Sequence, residues 1–161
     1  MSEYTLISDP PLAGIEKTYA DVALRAPSDL ALVSIALPLG CEDAALAAIK
    51  VAYGADMPGV GKTAEAGEAM LLRLGTDQGF VLFPHATPDA ERVVAGKLNG
   101  AAYTTDQTDV WCVLELSGPG AVRALERICP LDLHHSAFAV GDVARTVMEH
   151  LGVIILRSAT E

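Results

Sequence analysis

The segment MPGVGKT, residues 57–63, finishes with the Gly-Lys-Thr that also ends nucleotide-binding P-loops. A P-loop needs a further glycine five positions before this Gly-Lys, because that glycine lets successive backbone N–H groups point at the phosphates. Asp56 stands at that position, and residues 45–54 show helical apolar spacing where a P-loop requires a strand. The segment is therefore predicted to be a surface loop. A role for Lys62 is expected only at a subunit contact.

Cys129, His134 and His135 lie close together in the segment CPLDLHHS, and these residue types can hold zinc or form a nucleophile and base. Zinc sites usually need four ligands, and the other two histidines, His85 and His150, add no paired spacing. A catalytic cysteine would also need a third group to orient its base, and the sequence marks none. We therefore predict no catalytic, cofactor-binding or metal-binding residue in this chain. The three cysteines, an odd number without CxxC spacing, favour reduced thiols.

Composition limits the class of protein. Of the 161 residues 51% are apolar, which is enough for one compact domain with a real core. The formal net charge of −10 argues against nucleic acid as a partner, because phosphate neutralisation needs a basic face. No apolar stretch reaches the length of a membrane span, and the N-terminal residues lack the basic start and apolar run of a secretory signal. We therefore expect a cytoplasmic protein without a membrane partner.

Residues 1–29 are predicted to be an irregular N-terminal segment, because three prolines interrupt any periodicity. Residues 30–108 predict a first βαββαβ unit, the element order of a ferredoxin-like fold. The signal Gly75-Thr76-Asp77 marks a hairpin turn in this unit, and Thr87 is the predicted N-cap of its second helix. The predicted elements are strand 29–37, helix 40–54, a loop at 57–68, strands 69–75 and 78–84, helix 87–100 and strand 101–108.

Residues 109–161 repeat the same order, which predicts an α+β domain of two tandem ferredoxin-like units. A shift of 79 positions places Ile35 on Leu114 and Ile49 on Ile128. The sequence stops at Glu161, within the second copy of the hairpin, so the second unit is expected to be incomplete. Either further residues or a partner would fill the gap. The predicted elements are strand 110–116, helix 117–128 and strands 143–150 and 151–157.

Several short motifs carry a resemblance to a known family. They are Asp-x-Thr-Asp at 106–109, Ser-Gly-Pro-Gly at 117–120, Cys-Pro-Leu-Asp-Leu at 129–133, and residues 138–141 and 144–146. With these motifs, residues 106–157 resemble the gamma subunit of heterotetrameric sarcosine oxidase. Upstream, residues 71–84 are similar to a second segment of that family, although Thr76, Gln78 and Gly79 replace its proline, glutamate and tryptophan.

The resemblance implies a function for the chain as part of an assembly. Such a gamma subunit would be a non-catalytic structural partner of alpha, beta and delta subunits in an enzyme that oxidatively demethylates sarcosine to glycine. The resemblance implies that FAD, FMN, NAD and tetrahydrofolate are held by the other subunits, and that none is held by this chain. It also implies a fold related to the aminomethyltransferase of the glycine cleavage system.

Three carboxylates leave an alternative open. Asp106, Asp109 and Asp132 could serve as acids or folate ligands, although strand-end and turn aspartates more often accept hydrogen bonds from nearby N–H groups. The alternative function is a stand-alone folate-binding or aminomethyltransferase-like protein, which should carry a closed pocket with an inward carboxylate. A structural subunit should instead leave a large apolar surface for its partners.

Overall fold

The computed structural model of the chain describes Leu12 and residues 14–158. Residues 1–11 and 13 of the predicted irregular segment lie outside these described residues. The described residues form an α+β fold of ten strands and three helices. The strands are β1 Glu16–Tyr19, β2 Val22–Arg25, β3 Leu30–Ala36, β4 Lys62–Ala66, β5 Ala69–Arg73, β6 Gln78–Pro84, β7 Tyr103–Asp106, β8 Glu115–Ser117, β9 Val143–Met148 and β10 Leu151–Leu156. The helices are α1 Glu42–Tyr53, α2 Ala90–Leu98 and α3 Ala121–Leu125.

A five-stranded antiparallel sheet of order β4-β5-β6-β3-β7 forms the centre of the fold. The predicted elements of the first unit are all present, but the predicted loop at 57–68 contains the additional edge strand β4. This strand was not predicted because its residues KTAEA carry no large apolar side chain. Its backbone pairs with β5 in register from Lys62↔Arg73 to Ala66↔Ala69.

The main core lies between this sheet and the helices α1 and α2. Alternate residues of β3 point to opposite faces, so Val33 and Ile35 face the helices while Leu32 faces the other side. On the helix side, Ile49 of α1 and Leu98 of α2 have at most 1% of their surface exposed. A smaller hydrophobic cluster packs on the other face of the sheet. Its buried residues are Leu32, Leu72, Phe80 and Val143.

Helix α2 begins two residues later than its sequence signal indicates. Asp89, and not Thr87, occupies the N-cap position. The Thr87 hydroxyl instead donates a hydrogen bond to Asp89 Oδ1 at 2.6 Å. The sequence signal for the C-terminal end of α2 is confirmed, because Asn99 ends the helix with φ 47° as the Asn-Gly pair predicts.

The second half of the chain does not repeat the first sheet within the described residues. Strand β8 is only three residues long, and residues 110–114 before it are not a strand as predicted. Strand β8 pairs with β2, while β9 and β10 form a separate two-stranded hairpin. The residues matched by the shift of 79 positions therefore do not pack alike, since Ile35 is fully buried and Leu114 is 44% exposed. Alternation alone predicted this strand, but a strand also needs a neighbour with which to pair.

The prediction that the N-terminal segment is irregular is wrong for residues 16–25, which form two strands. Strands β1 and β2 form a hairpin in register from Glu16↔Arg25 to Tyr19↔Val22, and β2 continues the pairing to β8. The prolines that suggested irregularity lie at positions 10, 11 and 27, outside both strands. Among residues 14–158, no helix is both long and apolar enough to cross a membrane.

Candidate functional site

The segment MPGVGKT joins the central sheet to the second half of the chain. Its backbone donors are used inside the protein: the N–H groups of Gly61, Lys62 and Thr63 bond to the carbonyls of Arg73, Gly59 and Gly141 at 2.8, 3.0 and 2.8 Å. A P-loop would leave such N–H groups free for phosphate oxygens. This geometry agrees with the sequence argument against a nucleotide site.

The side chain of Lys62 makes an ion pair with Asp142 of the same chain. Asp142 Oδ2 also accepts the N–H of Ala139 at 2.9 Å. Hydrogen bonds from Lys62 and from the Ala139 N–H, with the positive charge of Lys62, hold the pKa of Asp142 below its usual range. Next to the pair, the N–H of Val143 bonds to the carbonyl of Gly61 at 2.9 Å. The described contact of Lys62 is thus within the chain, at the contact between β4 and the start of β9.

The backbone next to Gly79 explains one departure from the family pattern. A Cβ built on Gly79 would lie 2.0 Å from Met57 Cε and 2.5 Å from the carbonyl oxygen of Leu72. No real side chain tolerates the second contact without a backbone shift. The Leu72 backbone therefore favours glycine at position 79, and the Met57 side chain occupies the adjoining space.

The Ser-Gly-Pro-Gly turn at 117–120 holds the N-terminal hairpin against α3. The Gly120 N–H donates to the carbonyl of Asp21 at 3.0 Å, and the carboxylate of Asp21 accepts a bond from Arg123 at 2.9 Å. A Cβ on Gly118, where φ is +99°, would lie 2.5 Å from that same carbonyl oxygen. The glycines are therefore needed for a close backbone approach between segments about one hundred residues apart in sequence.

Cys129 and the two neighbouring histidines are not brought together as a site. Cys129 is 5% exposed, whereas His134 and His135 are exposed with ring centroids 4.1 Å apart. His134 Nδ1 lies 2.8 Å from the hydroxyl of Ser136. Within the residues that the structure describes, no three His, Cys, Asp or Glu side chains converge in a way that could hold a metal ion.

Two of the three candidate aspartates, Asp106 and Asp132, accept hydrogen bonds from nearby backbone N–H groups. Asp106 Oδ1 accepts the N–H of Thr108 at 2.9 Å, and Asp132 Oδ1 accepts the N–H of His134 at 2.9 Å. Asp109 is exposed. The first two residues thus have the turn-forming role that was weighed against folate binding.

Sequence reasoning missed a polar cluster at the start of α2. Asp89 accepts hydrogen bonds from Thr87, Arg92 and His85, and these bonds lower its pKa from the usual range. His85 Nε2 lies 2.8 Å from both Asp89 Oδ1 and the Thr87 hydroxyl. The spacing His-Ala-Thr-Pro-Asp is the only sequence signal for this arrangement, which fixes the entry of the chain into the helix.

An open cleft of about 350 Å³ lies beside this cluster, near the lower limit for small-molecule sites. Tyr53 lines the cleft, and its buried hydroxyl has no hydrogen-bond partner among the described residues. Burial raises the pKa of Tyr53 to about 12. The Lys97 ammonium lies 5.1 Å from the centre of the Tyr53 ring, within cation–π distance.

Comparison with known proteins gives a consistent family. The chain is 34% identical over 117 residues to the sarcosine oxidase gamma subunit of Arthrobacter sp, a match that covers 71% of this chain and 58% of that protein. The gamma subunit of Corynebacterium sp. (strain P-1) is 32% identical over 118 residues, with the same coverage. This chain is a homologue of sarcosine oxidase gamma subunits. The resemblance inferred from the sequence motifs is thereby confirmed.

A solved structure extends this homology to the fold. A chain of heterotetrameric sarcosine oxidase from Corynebacterium sp. U-96, in complex with pyrrole 2-carboxylate, matches with a TM-score of 0.76 and 25% identity. The match covers 91% of this chain and 75% of that chain. No protein-family model matches the sequence. This chain thus spans little more than half the length of the sarcosine oxidase gamma subunits it resembles, 58% in the first comparison.

Proposed function

We propose that this chain is the gamma subunit of a heterotetrameric sarcosine oxidase and acts there as a non-catalytic structural subunit. The observation that carries the proposal is the 34% identity over 117 residues to a sarcosine oxidase gamma subunit. The assembled enzyme would oxidatively demethylate sarcosine to glycine. The match to a chain of a heterotetrameric sarcosine oxidase, with a TM-score of 0.76, supports the same assignment.

Side-chain bonding in the chain favours a structural role. Lys62 is paired with Asp142, and Asp106 and Asp132 each accept a local backbone N–H. Groups engaged in this way hold loops in place and are less available to a substrate. As the resemblance to sarcosine oxidase gamma subunits implies, we propose that FAD, FMN, NAD and tetrahydrofolate are held by the other subunits of the assembly.

The proposed partners are the alpha, beta and delta subunits of the same enzyme, and the proposed location is the cytoplasm. We also propose that the fold is related to the glycine-cleavage aminomethyltransferase and that its first half is a ferredoxin-like unit. The central sheet supports this relation in the first unit. Apart from the added β4, its order β5-β6-β3-β7 places the first strand of the unit between the third and the fourth.

Co-expression of the chain with the alpha, beta and delta subunits from the same source tests the function. We expect co-purification of all four chains and hydrogen peroxide production that depends on sarcosine. A Val33→Asp variant is the negative control, because Val33 has no exposed surface and a buried, unpaired carboxylate prevents folding. The variant must fail to co-purify.

The result that contradicts this proposal is equally specific. Wild-type chain that folds but does not co-purify is not a subunit of this enzyme. If the isolated chain then binds tetrahydrofolate tightly in calorimetry, the stand-alone folate-binding function replaces the proposal.

A further inference from the structure

The 161 residues contain a single asparagine, Asn99, and the residue that follows it is Gly100. An Asn-Gly pair is open to deamidation, because the side-chain amide of asparagine can reach the next backbone nitrogen and glycine has no Cβ to hinder that nitrogen. Both residues are exposed at the C-terminal end of α2. The only reactant needed besides the chain itself is water.

Deamidation of this pair has two balanced steps. The backbone nitrogen of Gly100 attacks Cγ of Asn99, so a new C–N bond forms while the bond from Cγ to the side-chain nitrogen breaks. The displaced nitrogen leaves as ammonia and takes the Gly100 amide proton, which leaves a cyclic succinimide. Water then opens the ring at either of its carbonyl carbons and gives aspartate or isoaspartate at position 99.

The native end of α2 holds the two reacting atoms apart. Asn99 has the left-handed conformation, with φ 47° and ψ 43°. At this value of ψ, the tetrahedral geometry of Cα places the Gly100 nitrogen nearly opposite to the Asn99 Cβ across the Cα–C bond. Closure of the succinimide requires both atoms on the same side of that bond. The ψ angle of Asn99 must therefore turn through roughly half a rotation before the ring can close.

Contacts on both sides of Asn99 oppose this rotation. On the N-terminal side, Leu98 has 1% of its surface exposed and is packed in the main core. On the C-terminal side, the Ala101 N–H bonds to the carbonyl of Leu98 at 3.0 Å, and β7 pairs with β3 from Tyr103 onward. A rotation at Asn99 would move residues that the central sheet holds in place, so the last turn of α2 has to open first.

We propose that Asn99 is a gated deamidation site, which is closed while the last turn of α2 is intact and reacts when that turn opens. The ammonia is lost, so the reaction runs in one direction and each converted residue records an opening of the helix end. The gate consists of α2, its buried anchor Leu98 and the pairing of β7. It does not rest on the proposed function.

Conversion also weakens the helix end. The new carboxylate lies at the C-terminal end of α2, where the helix macrodipole is negative. We expect Asn99→Asp, which reproduces the aspartate product, to lower the Tm by about 1–4 °C. Asn99→Gly is the matched control, because glycine keeps the left-handed conformation and adds no charge, and it should not lower the Tm. Equal Tm values for the two variants would overturn this consequence.

Mass spectrometry on the full wild-type chain tests the gate. The chain is incubated at mildly alkaline pH, once folded and once unfolded in guanidinium chloride, and peptide mapping locates the mass gain of about one dalton that replacement of NH₂ by OH produces. We expect the folded chain to deamidate at Asn99 at least about tenfold more slowly than the unfolded chain. A synthetic peptide of residues 96–102 is the chemical control and should react at the same rate with and without denaturant.

A pair of substitutions in α2 tests whether the helix end itself is the gate. Leu98→Ala removes the buried anchor next to Asn99, and Val94→Ala shortens an equally buried side chain one turn earlier. In chains that circular dichroism shows to be folded, we expect Leu98→Ala to raise the rate several-fold more than Val94→Ala does. Equal rates in the two variants would mean that unfolding of the whole chain exposes Asn99, and local gating would be wrong. If Leu98→Ala does not fold, the comparison of folded and unfolded wild type still decides the proposal.

Other results would overturn the proposal directly. Equal rates in the folded and unfolded wild-type chain would mean that the helix end does not protect Asn99. An unfolded chain that gains no mass at Asn99, under conditions in which the peptide reacts, would mean that this position is not a deamidation site. A mass gain that persists in Asn99→Gly would place the reaction at Gln78 or Gln107, the two glutamines of the sequence.

Discussion

Replacement of Gly118 by alanine should destabilise the chain by roughly 2–4 kcal/mol. A non-glycine residue held at an unfavourable positive φ costs about 1–3 kcal/mol, and φ is +99° here. The new Cβ would also stand 2.5 Å from the carbonyl oxygen of Asp21, which must move away. This movement weakens the 3.0 Å bond from the Gly120 N–H, at a cost of about 1 kcal/mol.

Gly96→Ala is the matched control for this prediction. Gly96 is exposed within α2, and a Cβ there meets nothing within 4 Å. Alanine in a helix interior is more stable than glycine by roughly 0.5–1 kcal/mol. Replacement of glycine by alanine should therefore lower the free energy of unfolding at position 118 and raise it at position 96.

Thermal and urea unfolding of the isolated chain would measure both effects. For a chain of this size, 1 kcal/mol corresponds to about 2–4 °C in Tm. We expect Gly118→Ala to lower the Tm by roughly 5–15 °C and Gly96→Ala to raise it by a few degrees. A Gly118→Ala chain with the Tm of wild type would refute the argument that this turn requires glycine for a close backbone approach.

Three further predictions concern single side chains. Lys62 lowers the pKa of Asp142, so the ionised carboxylate stabilises the fold above about pH 4, and this stabilisation is lost as the pH falls further. In acid titrations of the unfolding free energy, the Asp142→Asn variant should therefore lose less stability than wild type. Tyr53 has a folded pKa of about 12 against an ordinary value of 10.0, so wild type should lose stability between pH 10 and 12, and Tyr53→Phe should lose less and be at least as stable at pH 7. Ile35→Ala should cost about 2–5 kcal/mol in urea unfolding, because Ile35 is fully buried, while Val51→Ala at the surface should change stability by less than about 0.5 kcal/mol.

The first unit was predictable because its signals are local. The turn Gly75-Thr76-Asp77 lies between two apolar runs, and both helices have apolar residues at helical spacing, so neighbouring residues define each element. Strand β4 escaped prediction because its place in the sheet depends on pairing with β5 and on the bonds to residues 141–143. Those contacts are invisible in the residues KTAEA themselves.

The second half was predicted less well because its elements depend on distant partners. The carboxylate of Asp21 bonds to Arg123 across 102 positions, and no short-range pattern announces such a pair. Residues 110–114 have the alternation of a strand, but Trp111 packs into the smaller cluster without a neighbouring strand. The argument against a P-loop was easier to make, since a single residue, Asp56, contradicts the motif.

The Lys-Thr that ends MPGVGKT forms the contact between β4 and the start of β9. Thr63 uses both its N–H and its hydroxyl on the carbonyl of Gly141, while Lys62 neutralises Asp142. These bonds fix the start of β9 on the edge of the central sheet, and Val143 fills the cluster below it. The hairpin is therefore held in one orientation against the central sheet by contacts within the chain.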